Sequence, residues 1–216
     1  MADDPHDTKG RILESAEELF ADQGFAATSL RTVTSRAGVN LAAVHYHFGS
    51  KEALIEAVFS RRLGPINRER LEHLDALEQE PRSEHFLEHT VEAFIGPALR
   101  MAHEPGGPVF MRLFGHAISQ PGTTRELFTR QFQEVFQRFT AAFRRALPHL
   151  PEAELEWRFL FMVGAMAHSM ALSQDLERIS AGLCHADDVE GTLSSLVGFV
   201  SAGLRSPVPT PTTGGA

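Results

Sequence analysis

The 216-residue chain has little cysteine and no long apolar run. Its single cysteine, Cys184, rules out a disulfide within the chain and fits a reducing compartment. Charged or amide side chains interrupt the apolar stretches every few residues, and the first ten residues are acidic and polar. These features argue against a membrane span and a secretion signal, so we expect a cytoplasmic protein that makes no membrane contact.

The motifs of common catalytic and cofactor sites are also missing from the sequence. It has no phosphate-binding glycine loop, no Gly-x-Ser-x-Gly and no acid pair spaced for acid–base chemistry. His85 and His89 fit a solvated acidic face better than a zinc site. Cys184-His185 fits an inert loop better than a redox thiol. We therefore expect no catalytic residue, no metal and no cofactor.

Negative charge is absent from one segment near the N-terminus. Between Gly24 and Lys51 there is no Asp or Glu, although the whole chain has a formal net charge of −8. The charged residues of this segment are Arg31, Arg36 and Lys51. An acidic protein with one cationic segment is expected to present that segment to phosphate groups.

Strand and hairpin signals are scarce, whereas apolar residues recur at three- and four-residue steps, so we predict an all-α fold. A first helix covers about residues 8–23. Ser29 and Asn40 are placed to cap two short helices that turn at Gly38, which predicts a helix-turn-helix. Ser50 is placed to cap a fourth helix.

Longer helices are predicted after this head. We expect Gly64-Pro65 to break the helical pattern, one long helix over about 123–147, and two more over about 152–174 and 188–204. The predicted domains are a helix-turn-helix head over 1–51, a helical body over 52–205, and a disordered tail over 206–216.

The head resembles the TetR-type transcriptional regulators over about residues 8–59. The match is carried by Phe20, Gly24 and Phe25, by Thr28-Ser29-Leu30 and Ala37-Gly38-Val39, and by His47-Phe48-x-x-Lys51-Glu52-x-Leu54. This resemblance implies a homodimer with two recognition helices one DNA turn apart. It also implies a C-terminal body that binds a small molecule and re-spaces the two heads.

The second short helix of such a motif can lie in the DNA major groove, where its first turns contact base edges. His45 is a candidate donor to guanine or to phosphate, and Asn40 can serve as a cap instead of a base contact. Exposed phenol at Tyr46 and the cation of Lys51 suit phosphate oxygens. The predicted DNA-binding residues are Thr28, Ser29, Arg31, Asn40, Leu41, Ala42, His45, Tyr46, His47 and Lys51.

The body is rich in bulky, pliable apolar side chains. Eleven of the 16 phenylalanines and five of the 6 methionines lie between Phe86 and Met170. Such a pattern is ordinary core in most proteins, but here it favours a hydrophobic effector pocket. Arg112, His116 or His168 are candidates to meet a carboxylate, or are structural hydrogen-bonding residues. The predicted effector-binding residues are Phe94, Met101, Phe110, Met111, Arg112, Phe114, Phe128, Phe132, Phe136, Met162, Met166 and His168.

Three segments resemble the PsrA-like branch of the family, whose members respond to long-chain fatty acids. They are GVNLAAVHYHFGSKEALIEAVFSRRLGP, VFMRLFGHAISQP and ELEWRFLFMVGAMAHSM. The resemblance implies a fatty-acid effector. In this family the last two long helices form the dimer interface, and the small residues Gly164, Ala165 and Ala167 suit close helix approach. A core within one chain is the alternative for these helices.

These observations predict a repressor that binds a palindromic double-stranded operator as a homodimer. A hydrophobic effector, a long-chain fatty acid or acyl-CoA, is expected to release it and so to control genes of fatty-acid metabolism. Three alternatives stay open from sequence. They are an efflux regulator that answers another hydrophobic compound, an all-helical lipid-handling enzyme, and a helical adaptor that binds a protein.

Overall fold

The computed structural model describes residues 5–79, 83–119 and 122–208, and every regular element in these residues is an α-helix. The helices are α1 Pro5–Gln23, α2 Leu30–Ala37, α3 Leu41–Phe48, α4 Lys51–Gln79, α5 Phe86–His103, α6 Gly107–Ser119, α7 Thr123–Arg130, α8 Gln133–Ala146, α9 Glu152–Ile179 and α10 Val189–Arg205.

The described residues form two compact units. The first contains residues 5–69 and 101–134, and the second contains residues 70–100 and 135–208. The first unit therefore holds α1–α3 together with most of α4, α6 and α7. The division at residue 51 that we predict from sequence stays a prediction. Of the predicted tail, residues 209–216 lie outside the described part of the chain.

Local polar chemistry sets the boundaries of the short helices. Ser29 Oγ, Asn40 Oδ1 and Ser50 Oγ each accept a hydrogen bond from the backbone N–H three residues further on, at 3.1, 2.9 and 3.1 Å. Gly38 ends α2 in the left-handed region at φ 65°, which glycine adopts without a steric penalty. The predicted caps and the predicted turn are thus present.

The core of the head is apolar and fully enclosed. Ile12, Ala16 and Phe20 of α1, Val33 of α2 and Val44 of α3 have no exposed surface. Burial of one large apolar side chain stabilises the folded state by about 1.5–3 kcal/mol, and each of the larger side chains in this core adds about that much to the stability of the head. It fixes the angle at which α3 projects from α1 and α2.

Aromatic rings and an ion pair with a buried carboxylate join the head to later helices of the same unit. Phe25 packs between Phe20 and Phe59 of α4, with ring centroids 5.1 and 5.4 Å apart, and Phe59 packs on Phe128 of α7 at 5.2 Å. The carboxylate of Glu17 in α1 is buried and accepts a hydrogen bond from Arg62 of α4.

Helix α6 lies against the last turn of α1. Arg112 donates to the carboxylate of Asp22 over 3.2 Å, and the ring of His116 bonds to the carbonyl of Ala21 over 3.2 Å. The end of the first head helix is therefore attached to a helix that comes about ninety residues later in the sequence.

The core of the second unit is an aromatic cluster around Phe159 of α9. Phe94 packs on Phe139 and on Phe159 at 5.1 and 5.2 Å between centroids, and Phe143 packs on Phe159 at 5.4 Å. Phe136 stacks parallel to Phe159 at 4.5 Å, although Phe136 itself is partly exposed. Edge-to-face and offset pairs of this kind add to the energy of burial.

Two predicted boundaries are wrong. Helix α4 runs through Gly64-Pro65 without a break; Pro65 is exposed, so water can hydrate the carbonyl that loses its N–H donor. The helix predicted over 123–147 is divided into α7 and α8. At the break, Gln131 O accepts from the Asn67 amide over 2.7 Å, and Gln131 Oε1 accepts from the Ser60 hydroxyl over 2.9 Å.

Candidate nucleic-acid interface

Helix α3 buries one residue and exposes most of the others. Val44 has no exposed surface, whereas Ala42 and His45 are exposed, Leu41 is 37% exposed and Tyr46 is 84% exposed. An exposed aromatic side chain on an eight-residue helix contributes little to the core. The side chains predicted to contact DNA bases therefore lie on the free face of α3.

The ring of His45 is turned toward the end of its own helix. Its Nδ1 lies 2.9 Å from the carbonyl oxygen of Gly49. A carbonyl oxygen only accepts hydrogen bonds, so Nδ1 carries the proton, and in the neutral ring Nε2 is then an acceptor. This geometry differs from the donor role that the sequence suggested for His45.

Aromatic and basic side chains surround the exposed face of α3. The rings of Tyr46 and His47 meet edge to face at 5.0 Å between centroids. Lys9 Nζ of α1 lies 6.0 Å from the centroid of the Phe48 ring at the end of α3. Sequence reasoning missed Lys9, because in the sequence it stands in an acidic segment and only the fold brings it beside α3.

The predicted phosphate contacts flank α3 on two other helices. Ser29 and Arg31 are exposed at the start of α2, and Lys51 is partly exposed as the first residue of α4. Ser29 Oγ also lies 2.8 Å from the hydroxyl of Thr32, which is exposed beside it. Arg36, the remaining cation of the segment, forms an ion pair with Glu18.

One predicted DNA contact is wrong. Thr28 has no exposed surface, and its hydroxyl donates to the carbonyls of Leu19 and Gly24 over 3.2 and 2.9 Å. One of these carbonyls belongs to α1 and the other to the residue that follows it, so the buried hydroxyl is already bonded and cannot reach a phosphate. The role of Thr28 is to hold the loop that positions α2.

The predicted effector-binding residues are divided between the two units. In the first unit Phe128 packs on Phe114 and Phe132 at 5.4 and 5.1 Å between centroids. Met101 and Phe110 are buried there. Met111 is partly exposed, while Phe94, Met162 and Met166 are buried in the second unit.

The polar candidates for an effector head group are partly or fully exposed. Arg112 is about half exposed and pairs with Asp22, and its contact with an effector stays a prediction. His168 is exposed on α9, whereas Met166, two residues earlier on the same helix, is buried. His116 has the structural role that the sequence left open for it, as the partner of the Ala21 carbonyl.

Two buried arginines escaped sequence reasoning. Arg70 is 1% exposed; its Nε donates to the carbonyl of Phe94 over 2.7 Å, and its guanidinium lies 4.3 Å from the Phe94 centroid. Arg158 Nη1 donates to the carbonyls of Leu204 and Ser206 over 2.8 and 2.7 Å, at the end of α10. Arg158 Nε also pairs with the carboxylate of Glu154, four residues earlier, over 2.8 Å. Such an i,i+4 pair is equally common on exposed helix faces, and the backbone carbonyls that enclose both arginines are distant in sequence, so the burial of these arginines has no local sequence signal.

Helices α9 and α10 expose a row of large apolar side chains. Phe161 is 63% exposed and Phe199 is 72% exposed, and the ring of Trp157 stacks on Phe161 at 6.0 Å. Between the two helices lies an apolar groove of about 200 Å³, lined on one side by Ala165 and on the other by Gly203. A contiguous exposed apolar face of this kind is typical of a surface that is covered by a partner.

The structure also bears on the other site types. In the described ranges no helix is long and apolar enough to cross a bilayer. Within the same ranges, no cluster of three or more His, Cys, Asp or Glu is arranged to hold a metal ion. The rings of His85 and His89 lie 6.3 Å apart, and His85 contacts Glu84.

Two family descriptions match the sequence. Residues 12–58 match "Bacterial regulatory proteins, tetR family", and residues 92–203 match "Tetracyclin repressor-like, C-terminal domain". The second match alone covers about half of the chain. The chain belongs to the TetR family of bacterial regulatory proteins.

Curated relatives match over shorter stretches. The HTH-type transcriptional regulator UidR of Escherichia coli K12 is 27% identical over 107 residues, which are 50% of this chain and 49% of UidR. An HTH-type transcriptional repressor of Mycobacterium tuberculosis is 49% identical over 47 residues, 22% of this chain and 25% of the repressor. The chain thus spans about half or less of the length of these relatives.

Solved structures match over nearly the whole chain. A TetR family transcription regulator from Shewanella sp. PV-4 has a TM-score of 0.63 and 23% identity, covering 91% of this chain and 97% of its own. FadR from Bacillus subtilis, in complex with stearoyl-CoA, has a TM-score of 0.67 and 11% identity, covering 90% and 98%. The predicted all-α fold, with an N-terminal helix-turn-helix and a C-terminal helical domain, is confirmed.

Proposed function

We propose that this regulator binds a palindromic operator as a homodimer and represses transcription until a long-chain fatty acid or acyl-CoA releases it. The regulated genes are those of fatty-acid metabolism, and the protein acts in the cytoplasm. The observation that carries the DNA-binding part is the exposed face of α3. It lies in a segment that has no carboxylate and is flanked by Ser29, Arg31 and Lys51.

The exposed apolar row supports the proposed dimerisation through α9 and α10. Phe161 and Phe199 are more than half exposed in the single chain, and association of two copies about a two-fold axis would remove them from water. A two-fold dimer carries two copies of α3, as an operator with two half-sites about 34–36 Å apart requires. A palindromic operator matches that arrangement.

A long acyl chain is the effector class that suits the apolar lining residues. Phe114, Phe128 and Phe132 form a contiguous aromatic group in the first unit, and Met111, which precedes Phe114 by three residues in α6, is partly exposed. The likeness in fold to a protein solved with stearoyl-CoA supports this choice of ligand to test. The resemblance to the PsrA-like branch supports it independently.

Helix α6 supplies a route from effector to DNA. It contains Phe110 and Phe114, and it is bonded to the last turn of α1 through Arg112 and His116. A ligand that moves α6 therefore moves the end of α1, whose other face forms the core of the head. The coupling needs no direct contact between ligand and α3.

The energy required is modest. To lower operator affinity a hundredfold, a ligand must favour the non-binding state by about 2.7 kcal/mol. Burial of one methylene contributes about 0.8 kcal/mol, so differential burial of about four methylenes is sufficient. A long acyl chain carries several times that number.

Fluorescence anisotropy of the purified protein on labelled DNA from its own upstream region tests both parts. We expect saturable binding that a scrambled duplex does not compete for, and release by either stearic acid or stearoyl-CoA. Specific binding that neither compound affects would contradict the fatty-acid effector and keep the DNA-binding role. Equal binding to the scrambled duplex would contradict the operator.

A further inference from the structure

The hydrogen bonds of His45 fix which of its ring nitrogens meets solvent. His45 and Gly49 exchange two bonds: the Gly49 N–H donates to the His45 carbonyl over 3.0 Å, and His45 Nδ1 donates to the Gly49 carbonyl over 2.9 Å. The two nitrogens lie on opposite edges of an imidazole ring. Nε2 therefore points away from Gly49, on a side chain that is exposed.

Gly49 is able to hold its carbonyl in this position because it is glycine. Its backbone has φ 80°, a region that side-chain-bearing residues adopt with strain. No neighbouring atom within 4 Å would meet a Cβ there, so the requirement for glycine is conformational and not one of space. The sequence His45-x-x-x-Gly49 thus encodes a ring whose protonated nitrogen is already engaged.

We infer that His45 is a specificity-determining residue that accepts, through Nε2, a hydrogen bond from an exocyclic amino group in the major groove. Adenine N6 and cytosine N4 are the amino groups that this groove presents. Guanine O6 and N7 and thymine O4 are acceptors, and the lone pair of Nε2 repels them. This inference rests on the proposed function, in which α3 enters the major groove.

The same lone pair argues against a phosphate contact by the neutral ring. Phosphate oxygens only accept, so they need a donor, and neutral Nε2 has no proton to give. Tyr46 and Lys51 carry the donors of this surface: the phenol of Tyr46 is 84% exposed, and Lys51 begins α4. His45 Nε2 is then the acceptor for a base, and Tyr46 and Lys51 are the donors to the DNA phosphates.

The inference is tested by removing the amino group and the ring separately. Operator sequences are first selected from random duplexes with the wild-type protein at about pH 8, where histidine side chains are ordinarily neutral. Selection is repeated with His45→Ala and with His45→Gln, whose amide both donates and accepts. We expect one position per half-site to be adenine or cytosine for the wild type, relaxed with His45→Ala and broadened with His45→Gln.

At that position the base is then replaced by its analogue without the amino group, purine for adenine or 2-pyrimidinone for cytosine. Wild-type affinity should fall about three- to tenfold, the range for one neutral hydrogen bond, while His45→Ala should lose nothing further. Loss on replacing guanine by 7-deazaguanine would overturn the inference, because it would make Nε2 a donor. A uniform loss over all duplexes would overturn it in favour of phosphate contact.

The proposed function and this inference fail in different ways. If the wild type selects no sequence, the operator itself is absent and both fall. If the wild type selects a sequence whose preferences His45→Ala retains at every position, only the inference is overturned. Circular dichroism of both variants shows whether α3 is intact, and Gly49→Ala should reproduce the loss of discrimination by displacing the carbonyl that holds the ring.

Discussion

The imidazole of His116 donates from Nε2 to the carbonyl oxygen of Ala21, 3.2 Å away, in the last turn of α1. The final carbonyls of a helix have no donor within the helix, and here a side chain from α6 supplies one. Because the acceptor is a carbonyl, the proton of the neutral ring resides on Nε2. A second polar attachment between α6 and the head joins Arg112 to Asp22.

Replacement of His116 by phenylalanine should weaken the effector response more than DNA binding. The ring volume is kept and the N–H is lost, so the attachment of α6 to the Ala21 carbonyl of α1 is removed. We expect operator affinity without ligand to change less than about threefold, and release by stearoyl-CoA to weaken about three- to tenfold. Anisotropy titrations with and without ligand measure both; His149→Phe, in an exposed loop, is the control and should behave as wild type.

Two glycine-to-alanine substitutions should have opposite effects on stability. Gly38 has φ 65° at the turn of the motif, so Gly38→Ala should lower the free energy of unfolding by about 1–2 kcal/mol. Gly10 lies inside α1, and a methyl group added there would meet no neighbouring atom within 4 Å, so Gly10→Ala should raise it by about 0.5–1 kcal/mol. Urea unfolding followed by circular dichroism measures both changes in the free energy of unfolding. Changes of the same sign would contradict the requirement for glycine at residue 38.

Loss of the cation at residue 51 should weaken binding to all duplexes alike. Lys51→Ala removes one phosphate contact, so the slope of log affinity against log salt concentration should fall by about one. Operator and random duplexes should lose affinity by the same factor. Arg178→Ala, which removes an exposed cation from α9, should leave the slope unchanged. An unchanged slope in Lys51→Ala would remove Lys51 from the phosphate contacts.

A charge in the apolar row should separate the subunits of the proposed dimer. Phe199 is 72% exposed in the single chain, so Phe199→Glu should leave the helical content unaltered. An unpaired carboxylate in a buried interface is costly, and we expect the Kd of the dimer to rise by about a hundredfold or more. Sedimentation velocity measures the change, with Ile118→Glu on α6 as the matched control. A dimer that persists in Phe199→Glu would move the interface elsewhere.

Acid should remove a small, identifiable part of the stability. The hydrogen bond from Arg205 lowers the pKa of Glu88 below its ordinary value, so the pair stabilises the fold above that ordinary value. The contribution is lost as the pH falls through the lower pKa of the folded state. Because the pair is partly exposed, it contributes about 0.2–1 kcal/mol. Glu88→Gln should be less stable than wild type at neutral pH, and the urea midpoints should converge as the pH falls below the ordinary pKa of glutamate, about 4.3; a constant gap would exclude the linkage.

The sequence predicts best where structure depends on neighbours along the chain. Ser29, Asn40 and Ser50 cap their helices through N–H groups three residues away, and Gly38 turns because of its own backbone. These are local rules, so the helix-turn-helix can be located from the sequence alone. The break between α7 and α8 has no such local cause, since Gln131 is held by side chains of α4.

The site was predicted unevenly for the same reason. Exposure of Tyr46 follows from its position on a short amphipathic helix. The burial of Thr28, by contrast, depends on two carbonyls that the fold places above its hydroxyl. Arg112 and Arg158 look alike in sequence, and only tertiary structure makes one a surface partner of Asp22 and the other a cap for the end of α10.

The ion pair between the buried carboxylate of Glu17 and Arg62 limits where the head can be exchanged between relatives. A cut after residue 51 would separate the carboxylate from its guanidinium and leave a negative charge enclosed in α1 without compensation. A head that is transferred to a relative would therefore have to include the first half of α4. Chimaeras joined after residue 69 keep this pair. Their junction falls where the first of the two segments that make up the first compact unit ends.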